Sequence, residues 1–151
     1  MSDIAKTHRE FATQSFNAVW DLLDKQTRTA DEDVQMIHLA HASRYHWSEI
    51  GTPLEFARGD WQISRVYATL GFGVMAFKYA KRCLDLCEKD SLGDFDLAFA
   101  YEALARASAV SGDLAKGQGY LSLAKDAGLA IKEEDDRDYF FRELTSVEEL
   151  L

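Results

Sequence analysis

The stretch from Arg58 to Cys87 constrains the fold more than any other part of the chain. Ile63, Val66, Tyr67 and Leu70 recur at three- and four-residue steps, which sets them on one helical face. Gly71 follows the last of them, where a residue able to take φ > 0 ends a helix. Val74, Phe77, Lys78, Cys83, Leu84 and Cys87 then resume the pattern. A link this short forces the two helices to pack antiparallel. Each buries a stripe on the other and still carries apolar residues on its far side, so the hairpin needs neighbours.

The rest of the chain supplies them. Helix one is expected from about Asp3 to Lys25, with Phe11, Phe16, Val19, Trp20 and Leu23 as its apolar side. Helix two is expected from about Glu32 to Ile50, opened by Asp31, Glu32 and Asp33, where negative charge suits a helix start. Gly51-Thr-Pro53 is a boundary, with Thr52 as cap and Pro53 in the first turn of helix three, which runs to Leu70. Gly59 lies inside that helix at a cost of about 1 kcal/mol relative to alanine, so a bend or a start there is an alternative. Helix four follows to Lys89, helix five is capped by Asp94 and ends at Ser111-Gly112, and helix six is capped by Asp113 and ends near Gly128. The acidic run Glu133–Asp136 opens helix seven, which closes on Val147, Leu150 and Leu151. No strand pattern competes, and Pro53 is the only proline. The expectation is an all-α fold of about seven helices.

Charge narrows the function classes. Seventeen Lys and Arg face 26 Asp and Glu, for a net charge of -9. That balance disfavours sequence-independent binding to nucleic acid and docking on anionic membranes. A composition 47% apolar and 28% charged belongs to a globular chain. Met1–Glu10 holds no apolar run of the kind a secretion signal needs, and no stretch is long enough to span a membrane. Cys83 and Cys87 stand four apart on one expected helix, so they read as core thiols of a reducing, cytoplasmic compartment rather than a redox pair.

Aligning Gly71 with Gly112, 41 positions later, also matches Ser64 with Ala105, Ala76 with Gly117, Cys83 with Ala124 and Ile63 with Leu104. This pattern, over Arg58 to Gly128, resembles the tetratricopeptide repeat, whose helix pairs carry small residues at those offsets and glycine at the turn. The unit is longer than the usual 34 residues. The family's proline after the second helix is replaced by Glu88 and Leu129, and its early tryptophan is displaced to Trp61 and becomes Tyr101 in the second copy. The resemblance implies a right-handed superhelix of helix hairpins. Residues 2–50 would form a diverged first pair, 53–90 the second, 94–128 the third and 133–151 a cap. Segments such as Ser43–Trp47, Gly59–Tyr67 and Asp94–Ala107 further resemble small bacterial proteins to which no activity is assigned, which implies a bacterial cytoplasmic protein.

If helices three and five line the concave side, as the resemblance implies, Arg58, Trp61, Gln62 and Arg65 point inward together with Phe99, Glu102 and Arg106. Helix two adds His41, Arg44 and Ser48 on one side and His38, Tyr45 and Glu49 on another. The candidate ligand- or peptide-binding set is Arg44, Arg58, Trp61, Gln62, Arg65, Glu102 and Arg106. Guanidinium groups pair bidentately with carboxylate or phosphate, and tryptophan supplies contact area. The alternative is that Glu102 and its arginines form internal ion pairs. Family members that grip terminal carboxylates use lysine and asparagine at inward positions where Trp61 and Arg65 stand, so that ligand class is not implied.

His38 and His41, at i, i+3, are weak metal candidates, since a site needs three or more ligands on one side. His46 and Glu49 share that spacing. No serine sits in a nucleophile elbow and no phosphate-binding glycine loop is present, so no catalytic residue and no cofactor is assigned. Three functions follow as expectations. The first is a non-enzymatic module that holds an unknown protein or peptide in an Arg/Trp-lined groove. The second is a small-ligand or metal protein, conceivably an enzyme, built on the Arg/His/Trp cluster. The third is a structural protein that self-associates, with a homodimer as the simplest form.

Overall fold

The computed structural model describes the whole chain, Met1–Leu151, as seven α-helices and no strand. They are α1 (Asp3–Leu23), α2 (Ala30–Ile50), α3 (Pro53–Thr69), α4 (Gly73–Lys89), α5 (Asp94–Val110), α6 (Leu114–Leu129) and α7 (Glu134–Glu148). Consecutive helices pack in adjacent pairs, α1 on α2, α3 on α4 and α5 on α6, and α7 lies on α5 and α6. α5 also touches α3 and α4, which makes it the central helix. Its sequence allows this: Ala98, Ala100, Ala103, Ala105 and Ala107 let neighbours approach from several sides at once. None of the helices is long and apolar enough to cross a membrane.

The turns show why the chain reverses where it does. Gly71 and Gly112 take φ of +84° and +82°. At each, the glycine N–H bonds three residues back (to Ala68 and Ala109) and the next N–H five back (Phe72 to Tyr67, Asp113 to Ser108). This paired bonding satisfies the last carbonyls of a helix and requires the left-handed conformation that glycine takes without strain. The two hairpins therefore share one turn geometry at the positions the sequence aligns. Gly73 is also constrained, since a Cβ there would lie 2.9 Å from the backbone N and Cα of Ser111, so this turn packs directly on the next hairpin's turn.

Several boundaries differ from expectation. α2 begins at Ala30 because Thr29 and Glu32 form a capping box, the Thr29 hydroxyl accepting from the Glu32 N–H and the Glu32 carboxylate from the Thr29 N–H. α1 ends at Leu23 rather than Lys25. α5 is helical from Asp94, which itself takes φ of +56° while its carboxylate accepts from the N–H groups of Phe95 and Lys132. α3 runs through Gly59, where the Arg44 side chain crosses so closely that a Cβ would lie 2.7 Å from Arg44 Cδ. Phe11 and Val74, assigned to apolar faces, are exposed. α4 buries the stripe Ala76, Ala80, Cys83, Leu84 and Cys87, and Val74 falls outside it.

Small residues set the helix crossings. The Ser64 hydroxyl donates to the Ala76 carbonyl at 2.7 Å, and both residues are buried. Ala68 and Ala107 complete that contact. Overpacking such a site costs about 1–3 kcal/mol. Ala76→Leu is therefore expected to lower the melting temperature clearly, whereas Lys81→Ala should leave it nearly unchanged, because Lys81 is exposed and pairs only with Asp85. Equal effects in parallel thermal melts would mean that the α3–α4 crossing lies elsewhere.

Candidate functional site

The inward face of α3 carries Arg58, Trp61, Gln62 and Arg65, and the structure divides them among different environments. Trp61 and Arg58 line an open cavity of about 440 Å³. Its walls are Phe16 and Trp20 from α1, Trp61 from α3, Phe95 and Phe99 from α5, and Tyr139 from α7. Trp61 meets Phe99 edge-on, with ring centres 5.6 Å apart, and lies 5.7 Å from Trp20. Along the other wall Phe95 stacks on Tyr139, with Phe99 tilted against both. Ala57 and Cys83 also line the space, and Asp96 and Asp136 bring carboxylates to it. The Trp61 Nε1 atom is buried without a hydrogen-bond partner. Such rings bury large area and leave a polar handle that normally finds a partner.

Arg58 binds Asp96 through two hydrogen bonds, Nε to Oδ1 at 2.9 Å and Nη2 to Oδ2 at 3.3 Å. The Asp96 bond, aided by the nearby charges of Glu55 and Asp136, raises the Arg58 guanidinium above the ordinary arginine value against the opposing effect of burial. Arg58 therefore belongs to a matched pair at the cavity. Gln62 is fully buried and donates to the Phe16 carbonyl at 3.0 Å, so it fastens α1 to α3.

Arg65 and Arg106 turn toward Glu102, which is fully buried. Arg106 approaches Glu102 Oε1 at 2.7 Å and Arg65 at 3.6 Å. Arg65 also bonds Glu143 at 3.0 Å, and Arg106 bonds the Ser146 hydroxyl at 2.7 Å. Burial pulls the Arg65 guanidinium down, but Glu102 and Glu143 outweigh it and hold the group above its ordinary value. This network joins α3, α5 and α7 behind the Trp61 wall, and the Arg65 guanidinium carbon sits 5.4 Å from the centre of the Trp61 ring. Arg65 and Arg106 are thus engaged by internal carboxylates.

Arg44 serves a second buried carboxylate. It reaches Asp60 at 3.1 Å and also the Ser48 hydroxyl, while Arg82 approaches Asp60 from α4 at 3.4 Å. Burial pushes the Asp60 carboxyl above the ordinary aspartate range despite both arginines. His41 lies nearby, its Nε2 2.9 Å from the Tyr67 hydroxyl and its ring edge-on to Tyr79. Burial lowers the His41 imidazole below its usual 6.5, opposed by Asp60 and reinforced by His38. The folded protein then binds fewer protons than the unfolded chain just below that value, so stability rises with pH there. Denaturant titrations are expected to show stability falling as pH drops through 6.5, with a shallower slope in His41→Gln. Identical slopes would mean that His41 does not contribute.

His38 is exposed and His41 is bonded to Tyr67, so the two do not converge. His46 faces His8 from α1 instead of Glu49, with Nδ1 atoms 2.8 Å apart. No group of three or more His, Cys, Asp or Glu side chains is placed to hold a metal. Cys83 and Cys87 are free and buried. A hydrogen bond to Cys87, then burial, holds the Cys83 thiol well above the ordinary range. Native alkylation of Cys83 is expected to be slow compared with the unfolded chain, and rapid labelling would contradict its place on the α4 core face.

Phe16, Trp20, Phe95, Asp96, Asp136 and Tyr139 were not among the site residues anticipated from sequence. The only local signal was the i, i+4 pair Phe95 and Phe99. No protein-family model matches the chain, and neither a curated protein nor a solved structure is significantly similar to it.

Proposed function

We propose that the protein is a non-enzymatic interaction module of tetratricopeptide type that takes a side chain of a peptide or partner protein into the cavity at Trp61. The observation that carries this reading is the wall of six aromatic side chains, drawn from four helices, around one open space. A volume of about 440 Å³ lies within the usual range for ligand pockets, about 300–1,000 Å³. Arg58 remains at the mouth, half-exposed and already oriented by Asp96, while Arg44, Arg65 and Arg106 support the helices that form the wall. The shared turns at Gly71 and Gly112 and the close contact of Ser64 with Ala76 support the repeat assignment. A non-catalytic role fits the groups in the cavity: the Cys83 thiol is held neutral, burial raises the Tyr139 phenol, and Arg58 and Asp96 satisfy each other. Two free buried thiols suit a reducing cytoplasm, and the charge of -9 disfavours nucleic acid and anionic membranes as partners.

The test is selection of binders from a displayed random-peptide library, followed by affinity measurement on Trp61→Ala. Tryptophans at the centre of an interface are worth about 2 kcal/mol or more, so affinity should fall about thirtyfold or more. The melting temperature measured on the same sample separates lost contact from lost fold. Peptides that bind wild type and a folded Trp61→Ala variant equally would place the binding surface elsewhere.

A further inference from the structure

We infer that the cavity at Trp61 recognises an organic cation with an apolar body, such as a methylated ammonium group. This deepens the binding reading above and rests on it. Three features of the site point the same way.

The first is the wall itself. Aromatic faces carry negative quadrupole charge and attract cations, tryptophan most strongly, and the attraction grows when the site excludes water. The rings here already attract guanidinium groups: Arg65 sits over Trp61 and Arg142 over Tyr139, at 5.4 and 5.9 Å from the ring centres. The second is the charge at the mouth. Arg58 is the only basic residue lining the cavity, and Asp96 neutralises it through two bonds. Asp136, on α7, lies near enough to act on Arg58 electrostatically but forms no ion pair with it. The cavity lining therefore carries one more carboxylate than guanidinium beside six aromatic rings, inside a chain of net charge -9. The third is the cost of the opposite choice. An anionic ligand would have to draw Arg58 from Asp96 and then face both Asp96 and Asp136, which like-charge repulsion penalises.

The cation could belong to a basic or methylated side chain of a peptide, or to a free quaternary ammonium compound. Both present the same chemistry, and the experiment separates them. Choline, its neutral carbon isostere 3,3-dimethylbutanol and the anionic 3,3-dimethylbutyrate are titrated into the full chain and followed by tryptophan fluorescence and calorimetry. Choline is expected to bind about tenfold tighter than the neutral isostere, with the anion weakest. Asp136→Asn, at an exposed position, should remove most of that preference while leaving binding of the neutral isostere in place. Trp61→Ala should weaken both probes. A peptide carrying a central trimethyllysine, compared with its norleucine counterpart, then reports the source. Binding tighter than choline assigns the cation to a peptide, and binding no tighter than choline assigns it to a small molecule.

If the neutral isostere binds as tightly as choline, or if Asp136→Asn keeps the full preference, the cation inference is overturned while the cavity reading stands. If neither probe binds but library peptides still require Trp61, the cation inference again fails alone. If no probe and no peptide depends on Trp61, both fall together.

Discussion

Glu102→Ala is expected to destabilise the protein by about 3–5 kcal/mol, the usual cost of removing one partner from a buried ion pair. The cause is not the loss of an attractive contact alone. Two guanidinium groups, each with a mostly buried side chain, share a single Glu102 oxygen. Removing it leaves Arg106 with only the Ser146 hydroxyl and the Glu143 carbonyl as listening partners for its charge, and leaves Arg65 with Glu143 alone. Urea unfolding of Glu102→Ala beside Arg65→Ala and Arg106→Ala checks this. The arginine variants should lose less, since each leaves Glu102 its other guanidinium. A triple replacement of Glu102, Arg65 and Arg106 by apolar residues of similar size should recover much of the stability, because well-packed apolar groups often equal or exceed a buried ion network. A loss below about 1 kcal/mol for Glu102→Ala would show that solvent reaches the network and screens it.

This result also bears on the two roles that sequence leaves open for the arginines. Arg65 and Arg106 lie where a groove-lining residue and a scaffold residue look alike in sequence, on the inward faces of α3 and α5. What distinguishes them is Glu143, which stands 78 residues from Arg65 and belongs to a helix outside the repeat alignment. No local pattern connects those two residues. Arg44 is a similar case, since its path to Asp60 depends on the absence of a Cβ at Gly59.

The fold was more legible because its determinants are local. One residue with φ > 0 ends the first helix of the α3–α4 and α5–α6 hairpins, and glycine at 71 and 112 states that requirement directly. The Ser64–Ala76 contact was legible for a related reason: close crossings demand small side chains, and the demand recurs at Ala105 and Gly117. The aromatic cavity was not legible, because Phe16, Trp20 and Tyr139 come from α1 and α7. On their own helices these rings follow ordinary apolar periodicity and read as core. Only the docking of the outer helices over α3 and α5 turns them into the wall of an open space. Asp136 was hidden for another reason. It sits in the acidic first turn of α7, where a carboxylate has a sufficient explanation in the helix dipole.

That docking depends most on Phe140, and Phe140→Ala is expected to cost about 3–5 kcal/mol, as for other fully buried phenylalanines. The ring meets Phe99 edge-on with centres 4.9 Å apart and packs on Phe141 as well. On α6, Gly128 leaves room for it, since a Cβ there would lie 2.5 Å from Phe140 Cε2. Apart from the Arg65–Glu143 bond to α3, α7 packs only against α5 and α6, so few contacts beyond these hold it in place. The loss should therefore be local before it is global. In hydrogen exchange, α7 amides of Phe140→Ala should lose protection ahead of those in α3 and α4, in line with sub-global opening of a weakly held terminal element. Opening α7 withdraws Tyr139 and Asp136 from the cavity and Glu143 and Ser146 from the arginines. Probe binding at Trp61 should then weaken in proportion to the open population, while α1–α4 remain folded. Phe140→Leu, which keeps most of the volume, should retain both protection and binding. If α7 stays as protected in Phe140→Ala as in wild type, its attachment must come chiefly from Leu144 and Val147, the other buried residues of its inner face.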